Sequence, residues 1–104
     1  MRYGLTPNIL ERIIDVFASV CKVEEVIIYG SRAMGNYREG SDIDLVLKGH
    51  DLNVADLVKI GAELDNLDLP YRFDLLVFNK IENRDLLDHI DRVGETIYKR
   101  VQGT

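Results

Sequence analysis

The sequence predicts an α/β fold, with helices packed on a small mixed sheet in the order αββαβαβ, and three observations lead there. Apolar residues recur at helical spacing in three stretches, each opened by a Thr or Asn able to cap a helix. Short runs rich in β-branched and aromatic residues alternate with them and stop at glycine or in polar loops. Gly and Pro are spread out as punctuation, with no repeat, low-complexity tract or linker, so one compact domain over residues 1–104 is expected.

Thr6 caps a first helix whose opening residue is Pro7. Ile9, Ile13, Val16, Phe17 and Val20 then share a face, and the helix is expected to run from Pro7 to Cys21. Val26-Ile27-Ile28-Tyr29 reads as a buried strand ending at the Gly30-Ser31 turn, with Ser31 to Met34 as a short helical turn in the polar loop that reaches Ser41. A second strand, Asp42 to Lys48, opens with period-two alternation, so Asp42 and Asp44 share one face while Ile43 and Leu45 take the other. Asn53 caps a second helix that carries Val54, Leu57, Val58, Ala62 and Leu64 largely on one side and closes before Leu69-Pro70. Tyr71 to Phe78 is a third strand. Asn83 caps a third helix bearing Leu86, Leu87, Ile90 and Val93, with Gly94 as its left-handed stop and Thr96-Ile97-Tyr98 as a short last strand.

A chain of 104 residues has room for a single core and excludes a large built-in substrate domain. Its 46% apolar and 30% charged residues are ordinary globular usage. No apolar stretch approaches the roughly 20 residues that cross a bilayer, and no apolar signal region opens the chain, so a cytoplasmic protein without a membrane partner is expected. Cys21 is alone and reads as a small hydrophobe within a helix. The net charge of −5, with basic residues scattered, disfavours a free nucleic-acid substrate. An acidic site remains compatible with phosphates when cations neutralise it.

Three aspartates on strand segments need a reason, because aspartate is depleted there. If the strands are neighbours, Asp42, Asp44 and Asp74 converge. Residues two apart on a strand project to one side about 6–7 Å apart at Cα, a spacing from which two carboxylates can jointly grip hard cations, whereas three clustered without metal repel. Two such ions, Mg²⁺ or Mn²⁺, suit phosphoryl and nucleotidyl transfer. At the other end of the reaction, Gly30 permits close backbone approach and Ser31 offers a hydroxyl to phosphate. Each signal alone has an ordinary reading: Gly-Ser is a common turn pair, and Asp-Ile-Asp a half-exposed strand. Arg72, two residues before Asp74, reaches either a phosphate or an ordinary ion pair. Arg38, Lys48, His50 and His89 read as surface residues, and Tyr3, Tyr29, Tyr37, Tyr71 and Tyr98 as packing.

Gly30-Ser31, ten residues from Arg32 to Ser41, then Asp42-Ile43-Asp44 resembles the signature of the DNA polymerase beta-like nucleotidyltransferase superfamily. Gly-Ser-Arg-Ala-Met-Gly at 30–35 and Ser-Asp-Ile-Asp-Leu at 41–45 are similar to its minimal (MNT) branch, and Leu69 to Leu76 resembles the branch's third motif. The likeness runs through essentially the whole chain and implies the polymerase beta-like fold. It implies that Gly30 and Ser31 hold triphosphate, that Asp42 and Asp44 bind metal, and that Asp74 assists the metal and the nucleophile. Met34 stands where many members carry arginine, and Arg32 beside it is the substitute for that phosphate contact.

The resemblance further implies ATP as substrate and a separate acceptor protein. MNT proteins are commonly paired with a small helical HEPN protein in toxin–antitoxin modules, in which the MNT member adds AMP to the HEPN ribonuclease. Two alternatives stand beside this: transfer to a small molecule, and a catalytically weak module that neutralises its partner by contact.

Overall fold

Thr6 sits in extended conformation and its hydroxyl accepts the Ile9 amide at 3.2 Å, so helix α1 starts at Pro7 as the sequence predicts. It ends earlier than expected, spanning Pro7–Ala18 in this computed structural model, which describes residues 1–101. The Ser19 hydroxyl donates to the Val16 carbonyl at 2.6 Å and competes with the next helical turn. Cys21 consequently lies outside the helix and is exposed, not packed as a small hydrophobe.

Strand β1 covers Val23–Tyr29 and runs directly into a short helix α2, Gly30–Met34, which the predicted order αββαβαβ did not count as an element. Strand β2 spans Ile43–Gly49, helix α3 Val54–Asp65, and strand β3 Phe73–Val77, followed by a 3₁₀ turn at Phe78–Lys80. Helix α4, Arg84–Val93, leads into strand β4, Glu95–Lys99. Asn53 and Asp56 form a reciprocal capping box at the start of α3, and Asn83 accepts from Asp85 and Leu86 at the start of α4.

The sheet order is β3-β2-β1-β4, with β1 antiparallel to both β2 and β4 and β2 parallel to β3. The three strands on which the sequence places Gly30, Asp44 and Asp74 are therefore adjacent. One sheet face buries Val26, Ile28, Ile43, Leu45 and Leu47 with Ile13 and Phe17 of α1 and Ile60 and Leu64 of α3. Phe17 is fully buried there, and its truncation to Ala would cost about 3–5 kcal/mol. The other face carries a smaller cluster of Ile27, Tyr29 and Val46 against Ile90 of α4.

Helix α3 buries Ile60 and Leu64 and leaves Val54 and Val58 in solvent, so its expected apolar side is rotated from its true core face. Gly94 is extended (φ −65°, ψ 143°) rather than left-handed. Its reason is packing: a Cβ there would collide with the Ile90 carbonyl oxygen and lie 2.8 Å from Ile27 Cγ2.

Candidate active site

Register builds the site. Tyr29 pairs with Asp44 across β1 and β2, and Asp44 pairs with Asp74 across β2 and β3. Directly opposed residues share a sheet face, so Tyr29, Asp44 and Asp74 form one row on the side that α4 covers. Ile43 and Leu45 turn into the opposite core, which is the alternation the sequence predicts. Asp42 lies just outside β2 and is exposed, Asp74 is exposed, and Asp44 is partly buried between them.

The same register brings Gly30, the residue after Tyr29, against Asp44. Gly30 has φ +74°, and the position a Cβ would take there is already filled by Asp44 Oδ2, with Asp44 Cγ 3.2 Å away. Glycine is thus required twice, by its left-handed backbone and by contact with the carboxylate. Ser31 follows in the first turn of α2, partly exposed.

Burial first, and then the charges of Asp74 and Asp42, hold the Asp44 carboxyl above its ordinary value. The Tyr29 phenol is also pushed up, by burial and by the neighbouring Asp44 and Asp74. Asp44 therefore feels two neighbouring carboxylates from a partly desolvated position. This all-oxygen donor set fits a hard divalent cation, which would replace repulsion with coordination. Among the described residues no three His, Cys, Asp or Glu side chains are gathered as a metal would gather them. Joint ligation thus asks for side-chain rotation, which the exposed Asp42 and Asp74 permit.

Arg32 is placed differently from a free phosphate contact. It is only 3% exposed, and its guanidinium donates to the Ser41 carbonyl from Nε at 3.1 Å and Nη2 at 2.8 Å, and to the Tyr3 carbonyl from Nη1 at 2.8 Å. The rings of Tyr71 and Tyr37 flank it at 4.9 and 5.3 Å. The bond to Ser41 fixes the backbone one residue before Asp42. Met34 on the same short helix is exposed.

His89 is the site residue that spacing misses. It reads as a surface histidine, yet its Nε2 accepts the Gly30 amide at 3.2 Å and its ring stands edge-on to Tyr29, with centroids 6.2 Å apart. Its partner is a backbone amide 59 residues away, which no side-chain motif could reveal. His50, in contrast, is exposed and pairs with Glu24 at 3.0 Å. Arg72 makes no ion pair among the described residues; its carbonyl accepts the Ile43 amide at 2.8 Å and ties β3 to β2.

No helix among the described residues is long and apolar enough to cross a membrane. In fold, the chain is similar to one of a toxin–antitoxin complex solved with AMP-PNP, at TM-score 0.72 and 21% identity over 89% of this chain and 75% of that one. It is similar to a chain of the tri-AMPylated Shewanella oneidensis HEPN toxin in complex with MNT antitoxin, at TM-score 0.67 and 18% identity over 89% and 71% of the two chains. A candidate nucleotidyltransferase of Sulfolobus solfataricus aligns at TM-score 0.53 and 25% identity over 96% and 95%. No curated protein matches. The family model for polymerase beta nucleotidyltransferases matches residues 11–102, over the fold and register just described, and the chain belongs to that nucleotidyltransferase family.

Proposed function

We propose that this chain transfers AMP from ATP to a hydroxyl on a helical, HEPN-like partner protein, as the antitoxin of a toxin–antitoxin pair. The observation that carries it is the packing of the Gly30 turn directly on Asp44 within the Tyr29, Asp44, Asp74 row. Phosphate-binding turn and metal-binding carboxylates must share a corner if one nucleotide is to bridge them. The solved complexes of similar fold, one with AMP-PNP and one with an AMPylated HEPN toxin, support the nucleotide and the partner.

Asp42, Asp44 and Asp74 would hold Mg²⁺ or Mn²⁺, two ions in the family's pattern, whose chemistry is to neutralise the triphosphate and stabilise the leaving pyrophosphate. Gly30 and Ser31 would hold the triphosphate, Gly30 through the turn that packs on Asp44 and Ser31 through its hydroxyl. Asp74, exposed at the outer end of the row, would assist the metal and the incoming hydroxyl, taking up its proton. Arg32 keeps Ser41 and hence Asp42 in place.

Co-expression with a HEPN-like partner, followed by intact mass measurement, tests this. A partner that gains the mass of AMP, and only when Asp42 and Asp44 are present, is the expected result. A monomer that instead modifies a small molecule defeats the proposal. One observation favours the binding-module alternative: with Arg32 turned inward and Met34 in the arginine position, α2 offers the phosphates no free cation. A stable, unmodified complex would establish that alternative.

A further inference from the structure

His89 has no task in that scheme, although the structure ties it to the scheme's most constrained backbone. Gly30 opens α2, and its amide is one of those that a helix start leaves without a partner inside the helix. Here that amide donates to His89 Nε2 at 3.2 Å. Only a neutral imidazole with its proton on Nδ1 can accept at Nε2. The ring is braced edge-on against Tyr29, at 82° between planes. The next residue of α4, Ile90, is buried in the cluster with Ile27, Tyr29 and Val46, which anchors the helix at that point.

Gly30 needs such an anchor. At φ +74° it has no Cβ to restrict it, so nothing local selects its conformation. Asp44 packs against it on one side without a hydrogen bond to it among the described contacts. The bond from α4 fixes the direction in which the turn presents Ser31 relative to Asp44. We infer that His89 is a positioning residue: acting through the Gly30 amide, it holds the Gly30-Ser31 turn at the orientation that nucleotidyl transfer requires. The inference rests on the nucleotidyltransferase reading proposed above.

Two isosteric choices test it. In His89→Gln the carboxamide oxygen extends to where Nε2 stands, and in His89→Asn it stops near Nδ1; both variants are neutral and polar. The readouts are hydrogen exchange of the Gly30 amide by NMR and steady-state transfer of AMP from MgATP to the partner protein. The Gln variant should keep the amide protected and stay within about threefold of the wild-type kcat/KM. The Asn variant should lose protection and fall by about 10- to 100-fold, chiefly in kcat, with a melting temperature close to that of the Gln variant. Gln and Asn variants with the same kinetics beside an active wild type overturn the inference alone, as does an unprotected Gly30 amide in the wild type. A wild type that transfers no nucleotide overturns the functional proposal and this inference with it.

Discussion

Replacing Gly30 by Ala measures how tightly the turn and the carboxylate are built together. The backbone component has an internal standard in Gly35, the left-handed cap of α2, whose φ is +85° and whose added Cβ would meet nothing within 4 Å. Gly35→Ala should therefore cost only the left-handed backbone, about 1–2 kcal/mol less a few tenths recovered from the unfolded state. Gly30 has a similar φ of +74°, but its Cβ would overlap Asp44 Oδ2 and press on Asp44 Cγ at 3.2 Å. Displacing a partly buried carboxylate adds about 1–3 kcal/mol of overpacking, so Gly30→Ala should cost roughly 2–4 kcal/mol in all. At roughly 4–8 °C per kcal/mol, the fall in melting temperature would be obvious in a thermal scan. The decisive assay is a double-mutant cycle by urea denaturation. Asp44→Ala removes Cγ and Oδ2 and leaves Cβ 3.5 Å from the new methyl, an ordinary contact, so in that background Gly30→Ala should cost no more than Gly35→Ala. A coupling below about 0.5 kcal/mol would refute the contact between turn and carboxylate as the reason for glycine here.

Further outcomes follow from the same geometry. Asp44→Asn and Asp42→Asn should each abolish transfer. The Asp44 carboxyl is held above its ordinary 3.8 by burial and by its acidic neighbours, so its contribution to stability is present below that value and lost as pH rises through its raised folded value. Metal-free Asp44→Asn should accordingly match or exceed the wild-type melting temperature at pH 7, with the difference closing towards pH 4; a marked fall at pH 7 would count against the clustered carboxylates. Ser31→Ala should weaken ATP binding more than adenosine binding by calorimetry, and equal losses would rule out a phosphate contact. Arg32→Lys, which gives up the fork on Ser41 and the bond to Tyr3, should destabilise by about 2–4 kcal/mol in urea, whereas an exposed phosphate ligand would cost almost nothing. Met34→Arg, on an exposed position of α2, should tighten ATP binding and lower the Mg²⁺ needed for it.

Where local chemistry decides, the sequence is legible. Thr6, Asn53 and Asn83 cap the helices they announce, because a side-chain oxygen and an amide three residues on suffice. The period-two run at 42–45 places Ile43 and Leu45 in the core for the same local reason. Helix α2 is too short to carry a period, and β1 begins at Val23 although Glu24 and Glu25 interrupt its apolar run. Val54 and Val58 follow a helical stripe, but only the neighbouring sheet decides which part of a stripe is covered. The features invisible in the sequence are non-local: Gly94 against Ile27, His89 on the Gly30 amide, Arg32 between Tyr37 and Tyr71. Each needs a partner that only the tertiary fold supplies.

The spacing between Gly30-Ser31 and Asp42 acquires a physical reason from these contacts. β1 and β2 are antiparallel, so the chain must leave Tyr29 and return to pair Asp44 beside it, and the connection has to close on itself without collapsing onto the carboxylates. Arg32 accomplishes this from within. Its donors pin the Ser41 carbonyl on the return path and the Tyr3 carbonyl of the N-terminal segment, while two tyrosine rings seal it from water. A buried guanidinium with this many partners is costly to extract, so the connection is a strut rather than a lid. The consequence reaches the chemistry. A chain of net charge −5 that spends its nearest arginine on scaffolding, and carries methionine at the other candidate position, has little positive charge of its own to set against a triphosphate. Under the proposed function, neutralisation then falls to divalent ions held by Asp42, Asp44 and Asp74, which makes the electrostatics of the site conditional on metal in a way that an arginine-bearing turn would not be.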